Sequence, residues 1–407
     1  MRAVVTGVAG FVGSHLAEAL IARGDTVVGV DCFTPYYRRA DKEANLTALR
    51  ESDCFSLVEA DLRTAPMTPF LDQTDVVFHQ AAQAGVRLSW SDGFADYVGH
   101  NVLATQRLLE GVLATRQPIR IVYASSSSVY GNQPRYPTTE TDLPRPYSPY
   151  GVTKLAAEHL CGLYAENWGV RTVSLRYFTV FGPRQRPDMS IQRLCESVLR
   201  GRPFPRYGDG TQVREFTYVD DIVRANLAAA SADVAPGTFM NVAGGAEITL
   251  NDLIDLVGEL AGTPVSVEPN DAQAGDAIRN GGAIDRAREL LGWEPTTSLR
   301  DGVAAQLEWN RSRGEVASYH CRRPSGEQRP VAFPPHGEFA AACRCLERAQ
   351  FVLAELRFPI GDEHAVHGAG YGILVDANAR CEATRDDVVA RIARSGHVNT
   401  AHGRDRS

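Results

Sequence analysis

The fold of this chain is decided by residues 2–31, which read RAVVTGVAGFVGSHLAEALIARGDTVVGVD. Residues 2–6 and 26–31 are short runs rich in valine, and residues 11–23 between them carry apolar side chains at helical spacing. A valine-rich run is typical of a buried strand, and the spacing indicates a helix that packs against it. The stretch therefore predicts a strand, a helix and a second strand, which is the unit from which parallel sheets are built.

Three glycines between the first strand and the helix predict a dinucleotide site. Gly7, Gly10 and Gly13 would let a pyrophosphate approach the backbone N–H groups at the helix N-terminus. An ordinary glycine-rich turn is the alternative, and the position inside a strand–helix–strand unit favours binding. Asp31 ends the second strand, where a carboxylate binds ribose hydroxyls and repels a 2′-phosphate, so we expect NAD rather than NADP. The other predicted cofactor contacts are Phe11, Val12, Asp61, Leu62, Ala81, Ala82 and Asn101.

The alternation of strands and helices continues beyond this unit. Apolar runs at residues 76–78, 119–124 and 172–177 predict further buried strands, and residues 101–115 carry a helical pattern. Such alternation predicts an α/β fold, a Rossmann doubly wound parallel sheet with helices on both faces. Beyond about residue 180 the pattern loosens into a turn-rich segment, which we expect to form a smaller, substrate-covering region.

The composition excludes several classes of protein. The 407 residues are 44% hydrophobic and 22% charged, a balance that fits a globular protein. The formal net charge of −7 leaves no excess of positive charge to neutralise a phosphate backbone, so we expect no nucleic-acid partner. Neither a long apolar run nor a signal-peptide pattern is present, so we expect a cytoplasmic protein with no membrane partner. The eight cysteines are too few for a disulfide scaffold.

A tyrosine and a lysine one helical turn apart form the candidate catalytic pair. Tyr150 and Lys154 begin a helical stretch and would share one face, where the ammonium and a positively charged nicotinamide favour the phenolate. An exposed helix pair is the alternative for an isolated Tyr-x-x-x-Lys. However, the serine run 125–128 closes a predicted strand at the sheet edge where such folds bind ligands. A serine there can bind a sugar hydroxyl while Tyr150 takes its proton.

Together these residues resemble the extended short-chain dehydrogenases/reductases, the family of nucleotide-sugar epimerases and dehydratases. The resemblance covers about residues 1–310 and is carried by the glycine turn, Asp31 and the serine–tyrosine–lysine set. It implies that Ser126, Tyr150 and Lys154 are catalytic: Tyr150 removes the 4-hydroxyl proton, hydride passes from C4 to NAD, and Lys154 holds the nicotinamide ribose. It also implies a homodimer built through helices that include residues 149–168.

The residues after the catalytic serine favour one reaction within this family. Dehydratases carry an Asp-Glu pair there and UDP-xylose-forming decarboxylases carry a glutamate, whereas this chain has Ser127 and Ser128. The resemblance therefore implies a 4-epimerase, in which a transient 4-keto intermediate takes the hydride back on its other face.

The finer resemblance is to UDP-glucuronate 4-epimerases, in which these serines, Thr179 and Arg186 surround the sugar carboxylate. UDP-galactose 4-epimerases typically have asparagine in place of Thr179, so UDP-glucose or UDP-galactose is the next candidate. Further arginines match positions that bind the substrate's diphosphate. The predicted substrate contacts are Arg87, Ser127, Ser128, Thr179, Arg186, Arg193, Arg214 and Arg279.

Several alternatives stay open at this point. The chain could be another nucleotide-sugar-modifying member of the family, a dehydratase, decarboxylase or reductase, or a non-catalytic NAD-binding protein. A zinc site at His320, Cys321, Cys343 and Cys345 is disfavoured because their spacing forms no two clean ligand pairs, so we expect no metal. The predicted division is a NAD-binding domain at 1–178, a nucleotide-sugar-binding region at 179–311 and a C-terminal extension of unknown role at 312–407.

Overall fold

The computed structural model describes residues 1–272 and 277–319, which all fall in one compact unit. Most of the predicted C-terminal extension, including the three cysteines weighed as zinc ligands, lies outside the described residues. The strands are β1 (Arg2–Thr6), β2 (Thr26–Asp31), β3 (Phe55–Glu59), β4 (Val76–His79), β5 (Arg120–Ser126), β6 (Arg171–Tyr177), β7 (Thr179–Phe181), β8 (Phe204–Tyr207), β9 (Val213–Tyr218), β10 (Thr238–Val242), β11 (Glu247–Thr249) and β12 (Val267–Asn270).

The helices alternate with these strands through the first half of the chain. They are α1 (Phe11–Ala22), α2 (Arg39–Ala44), α3 (Thr47–Arg50), α4 (Thr68–Leu71), α5 (Phe94–Tyr97), α6 (Ala104–Thr115), α7 (Pro149–Trp168), α8 (Ser190–Arg200), α9 (Val219–Ser231), α10 (Leu250–Ala261), α11 (Asp285–Leu291) and α12 (Leu299–Tyr319). A π-helical segment, Val98–Leu103, leads into α6.

Within the described residues, the main sheet has seven strands in the order β10-β6-β5-β4-β1-β2-β3, and every neighbouring pair is parallel. Strand β1 sends Ala3 and Val5 into the core on one face and Val4 into the core on the other. Helices α1 and α9 cover the first face, and α6 and α7 cover the second. Burial on both faces explains the continuous valine runs, and the predicted Rossmann doubly wound fold is confirmed.

The strand order reverses between β1 and β4, and this reversal positions the site. In such sheets a crevice opens at the carboxyl ends of the two strands, where the loops diverge to opposite faces. The turn after β1, the end of β2, and the loops after β4 and β5 all lie at this edge.

The second half of the chain builds a cover over that edge. A three-stranded sheet, β11-β9-β7, and the parallel pair β12-β8 pack with α8, α10 and α12 around a separate core that includes Leu194, Leu253 and Leu307. Two later elements return to the main sheet: β10 pairs with β6, and α9 packs against α1. The sequence patterns did not indicate β3 or β10, and the predicted domain division at residue 178 stays a prediction.

Candidate active site

A cleft of about 840 Å³ lies at the carboxyl edge of the main sheet, between it and the cover. Most of the residues singled out in the sequence line this cleft. They are Gly7, Gly10, Phe11, Val12, Gly13, Asp31, Asp61, Leu62, Ala81, Ala82, Arg87, Ser126, Ser127, Ser128, Tyr150, Lys154, Thr179, Arg186, Arg193 and Arg214. Asn101 and Arg279 are not among the lining residues.

The glycine turn leaves no space for side chains. Gly7 has a φ of +70°, and a methyl group there would lie 2.8 Å from the backbone N and Cα of Ala81. A methyl group on Gly13 would overlap the carbonyl oxygen of Gly7. No side chain caps the N-terminus of α1 at Gly10, so its first N–H groups stay available to an anionic ligand. This cradle fits the pyrophosphate of a dinucleotide.

Asp31 closes the other side of the cradle. Its Oδ2 accepts a hydrogen bond from the Ala9 amide at 3.0 Å, and its Oδ1 accepts one from the Phe33 amide at 2.8 Å. The carboxylate thus ties the glycine turn to the end of β2. Lys42, which the sequence patterns did not indicate, is buried beside it and donates from Nζ to the Thr34 carbonyl at 2.9 Å. Burial lowers the pKa of Lys42, and the negative charge of Asp31 opposes that shift.

Asn101 does not line the cleft but connects two segments that do. Its side chain is buried, accepts from the Gln83 amide at 2.7 Å and donates to the Gln83 carbonyl at 3.0 Å. It also donates to the Thr153 hydroxyl on α7 at 3.0 Å. Asn101 therefore connects the loop after β4 to the helix that carries Tyr150. Asp61, another residue of the cleft, has its carboxylate held by Arg63, with Nη2 2.7 Å from Oδ2.

The candidate catalytic residues meet at the ends of β5 and α7. Ser148 caps α7 by accepting from the Gly151 amide at 3.2 Å, and Pro149 starts the helix without needing a hydrogen-bond acceptor. Tyr150 and Lys154 then lie one turn apart and are both turned inward. Ser126, at the end of β5, lies beside the Tyr150 hydroxyl in the cleft, and its own hydroxyl accepts from the Ser128 amide at 3.1 Å.

The electrostatics of Tyr150 differ from the sequence-based expectation. We expected the neighbouring ammonium to favour the phenolate, but burial raises the pKa of Tyr150 above its ordinary value. The hydrogen bond from Ser126 and the positive charge of Arg186 oppose this rise. Burial also lowers the pKa of Lys154 to about 8, because a buried ammonium loses its hydration. Without a cofactor, Arg186 is thus the cation that acts on Tyr150.

A buried ion pair sits one helical turn beyond Lys154. Glu158 accepts from the guanidinium of Arg176 on β6, with Nη2 2.5 Å from Oε1, and from the Ser125 hydroxyl at 2.5 Å. Arg176 also donates to the Tyr130 hydroxyl at 2.7 Å. These contacts join α7 to the two strands beside it. The sequence signal was present, because Tyr150, Lys154 and Glu158 are spaced by four residues.

The polar residues predicted to contact the sugar carboxylate line the same cleft as Tyr150. Arg186 is held by Asp188, with Nε 3.0 Å from Oδ1 and Nη2 3.0 Å from Oδ2. Thr179 accepts a long hydrogen bond of 3.4 Å from Asn280. Ser127 and Ser128 line the same cleft as Thr179 and Arg186, and their contact with a sugar carboxylate stays a prediction.

Arginines cluster farther along the cleft. The guanidinium of Arg87 lies 4.2 Å from the ring centroid of Tyr207, and that of Arg193 lies 5.7 Å from the same centroid. Arg214 lines the same part of the cleft. Arg279 instead pairs with Glu247, at 2.5 Å, and its side chain is 44% exposed. Three of the four predicted arginines thus line the cleft, and Arg279 does not, although its backbone pairs with Val213 beside Arg214.

The described part of the chain holds neither a cluster of metal-ligating side chains nor a helix that could span a membrane. Residues 1–272 and 277–319 contain no group of three or more His, Cys, Asp or Glu side chains placed to hold a metal ion. In the same part of the chain, no helix combines the length and apolar character needed to cross a bilayer.

Comparisons with known proteins agree with this geometry. The model of the NAD dependent epimerase/dehydratase family matches residues 3–243. An uncharacterized UDP-glucose epimerase of Bacillus subtilis (strain 168) is 38% identical over 76% of this chain and 98% of its own. A UDP-glucuronate 4-epimerase of Thermodesulfobacterium geofontis (strain OPF15) is 34% identical over 77% of this chain and 97% of its own.

A solved structure shares the same architecture. The crystal structure of a UDP-glucuronic acid 4-epimerase from Bacillus cereus, in complex with UDP-glucuronic acid and NAD, superimposes with a TM-score of 0.75. It is 38% identical and covers 77% of this chain and 100% of its own. The family match extends over more than half of the chain, and it includes the glycine turn, Asp31 and the serine–tyrosine–lysine set. This chain belongs to the NAD-dependent epimerase/dehydratase family.

Proposed function

We propose that this protein is an NAD-dependent nucleotide-sugar 4-epimerase whose favoured substrate is UDP-glucuronate. One observation carries the proposal: Ser126, Tyr150 and Arg186 line one cleft together with the glycine turn. A sugar bound there would meet the Ser126 hydroxyl as a hydrogen-bonding group, Tyr150 as a proton acceptor and Arg186 as a cation. UDP-glucose or UDP-galactose is the next candidate. We rank these neutral sugars below UDP-glucuronate because they have no carboxylate for Arg186, which would then pair only with Asp188.

The cofactor in this proposal is NAD, which accepts a hydride from C4 of the sugar and later returns it. The glycine turn and the N-terminus of α1 hold the pyrophosphate, and Asp31 holds the adenosine ribose. Lys154 holds the ribose next to the nicotinamide. A positively charged nicotinamide ring beside Tyr150 would favour its phenolate, in the direction opposite to the effect of burial on the pKa of Tyr150.

The chain's own residues carry the proton chemistry. Ser126 and Tyr150 bind the 4-hydroxyl, and Tyr150 takes its proton as the hydride leaves. Ser127 and Ser128 offer no carboxyl group for proton transfer at C5 or C6, so dehydration lacks the acid and base that it needs. The 4-keto sugar then rotates, receives the hydride on its other face and regains the proton from Tyr150.

The substrate side is arranged for a carboxylate and a diphosphate. A 4-keto uronate is a β-keto acid that loses CO₂ readily, and polar contacts from Ser127, Ser128, Thr179 and Arg186 would hold its carboxylate away from that geometry. Arg87, Arg193 and Arg214 would bind the diphosphate, since guanidinium groups bind phosphate oxygens in pairs. We leave Arg279 out of this set because it is exposed and pairs with Glu247.

The test is to incubate the purified protein with UDP-glucuronate and follow the products by NMR. We expect an equilibrium with the C4 epimer, no release of CO₂ and no net change in NADH absorbance. A second sample with UDP-glucose should react more slowly at equal concentration. A stable 4-keto-6-deoxy product or loss of CO₂ would contradict the proposal, and faster turnover of UDP-glucose would move the assignment to the neutral sugar.

We also propose that the protein forms a homodimer through α7. Val152 and Leu163 are 49% and 51% exposed, and because they are eleven residues apart they lie on one side of the helix. Leu103, just before α6, is 46% exposed. Exposed apolar side chains on two neighbouring helices are typical of a helical interface. In analytical ultracentrifugation the unchanged protein should sediment as a dimer and Leu163→Lys as a monomer. If the unchanged protein is itself a monomer, the proposal is refuted. A cytoplasmic location stays a prediction.

A further inference from the structure

The segment that carries Arg186 is anchored at both of its sides. We call residues 182–189, between β7 and α8, the sugar loop. Arg186 and Asp188 of this loop line the cleft beside Tyr150. The two residues before Arg186 point in other directions, one to α1 and one to α12.

The first anchor is Arg184. Its backbone has a φ of +66°, a left-handed conformation that non-glycine residues rarely adopt. Its Nη2 donates to both carboxylate oxygens of Glu18, at 2.8 and 3.0 Å, and its Nη1 donates to the Ser14 hydroxyl at 3.3 Å. His15 contacts the Pro183 carbonyl at 3.0 Å through Nε2. The sugar loop is therefore attached to the first turns of α1, the helix whose N-terminus forms the phosphate cradle.

The second anchor is Gln185, whose side chain is buried. Its amide oxygen accepts from the Gln192 amide and from the side chain of Gln306 on α12, both at 2.9 Å. Its amide nitrogen donates to the Val180 carbonyl at 2.8 Å. Gln306 also accepts from the Gly182 amide at 2.9 Å. Because buried amide groups are stable only when they are paired, this network fixes the loop's second side.

The two anchors determine where Arg186 can point. A left-handed residue inside a loop persists only where surrounding contacts hold it, and the Arg184–Glu18 ion pair supplies such contacts. Arg186, two residues after Arg184, then lines the cleft near Tyr150. A neutral sugar does not require a cation at this place, whereas a uronate does.

We propose that Arg184 and Gln185 are positioning residues that fix the sugar loop between α1 and α12 and thereby make the site selective for sugars with a carboxylate at C6. This inference rests on the proposed function, and it concerns the selectivity of the same site. It also links the cofactor helix to the part of the cleft that binds the sugar acid, because α1 carries one anchor.

The test compares kcat/KM for UDP-glucuronate and UDP-glucose in the full chain with NAD. Arg184→Met removes the ion pair at similar side-chain length, and Glu18→Gln removes it from the helix side. Each should lower kcat/KM for UDP-glucuronate by roughly tenfold to a hundredfold, mainly through KM, and change UDP-glucose by less than about threefold. The double variant should lose no more than either single one, because both remove the same contact.

The control is Arg300→Met, which removes the Arg300–Glu259 ion pair between α12 and α10, at 2.7 Å, without touching the sugar loop. It should leave the ratio of the two substrates unchanged. If Arg184→Met does not fold, Glu18→Gln decides, because this carboxylate is 30% exposed on a helix surface. Equal losses on both substrates would overturn the inference alone. Failure of the unchanged protein to convert UDP-glucuronate would overturn the proposed function and this inference with it.

Discussion

Replacing Gly13 by alanine is expected to weaken NAD binding strongly. The added methyl group would overlap the Gly7 carbonyl oxygen and lie 2.9 Å from the Gly7 carbonyl carbon and 3.0 Å from Cα of Val8. All three are backbone atoms, so no side chain can rotate away. The Gly7 backbone is held on both sides, because its amide donates to the Val30 carbonyl at 2.7 Å and its carbonyl accepts from the Gly10 amide at 3.0 Å. The start of α1 must therefore move, and its N–H groups would lose their alignment with the pyrophosphate.

The size of the effect follows from the strain. Forcing one methyl group into a filled space typically costs about 1–3 kcal/mol. The free protein can relieve this strain by shifting α1, but NAD binding requires α1 in its original position and so brings the strain back. The dissociation constant for NAD should therefore rise by about 5-fold to 150-fold. The assay is NADH fluorescence on protein freed of its cofactor. Unfolding is measured in parallel, so that a loss of stability is separated from a loss of affinity.

Gly162→Ala is the matched control, because Gly162 lies inside α7 and an added methyl group there has no neighbour within 4 Å. This variant should keep its affinity for NADH, and removing a helical glycine should stabilise it by about 0.5–1 kcal/mol. The reasoning about the cradle would be refuted if Gly13→Ala bound NADH as tightly as the unchanged protein and melted at the same temperature.

Four further predictions follow from individual side chains. Tyr150→Phe should lower turnover by about 10²–10⁴-fold and leave NADH affinity intact, as measured by NMR and fluorescence; unchanged turnover would remove Tyr150 from the base role. Asp31→Asn should weaken NAD binding by roughly tenfold and reduce the preference for NAD over NADP in competition titrations, since the repulsive charge is lost. Glu158→Gln leaves Arg176 buried without its counter-charge and should lower the free energy of unfolding by about 3–5 kcal/mol in urea titrations, whereas the double variant with Arg176→Met should regain part of it. Burial, and to a lesser degree the charge of Lys154, lowers the pKa of His79 to about 3, so between about pH 6.5 and 3 the unfolded chain binds a proton that the folded chain does not. The free energy of unfolding should therefore fall by about 1.4 kcal/mol per pH unit over this range in urea titrations. The variant His79→Gln should show a smaller fall.

Much of the fold was predictable because its signals are local. The valine runs of β1, β2, β4, β5 and β6 are buried on both faces and read as continuous apolar segments. Strands β3 and β10 were missed because their residues are partly exposed or polar, as in the sequence TFMNV of β10. Their place in the sheet depends on partners far away in the chain, which no local pattern contains.

The candidate site divides in the same way. The glycine turn, Asp31 and the Tyr150–Lys154 pair each have a fixed spacing inside one element, so their positions follow once the element is known. Asn101 as a cofactor contact stays a prediction, and no local pattern indicated that its side chain connects Gln83 with Thr153.

By itself, the sequence determined the dinucleotide cradle, the sheet that carries it and the residues that can move a proton, because backbone geometry and helical spacing are properties of short segments. Only the tertiary structure decided that burial raises the pKa of Tyr150, that Arg186 is the cation beside it, and that Arg184 and Gln185 hold the sugar loop from opposite sides. These outcomes depend on the solvent that a fold excludes and on contacts between different elements, such as Arg184 with Glu18, 166 positions apart, and Gln185 with Gln306, 121 positions apart. All three concern the end of the cleft that lies away from the glycine turn, where we expect the sugar to bind.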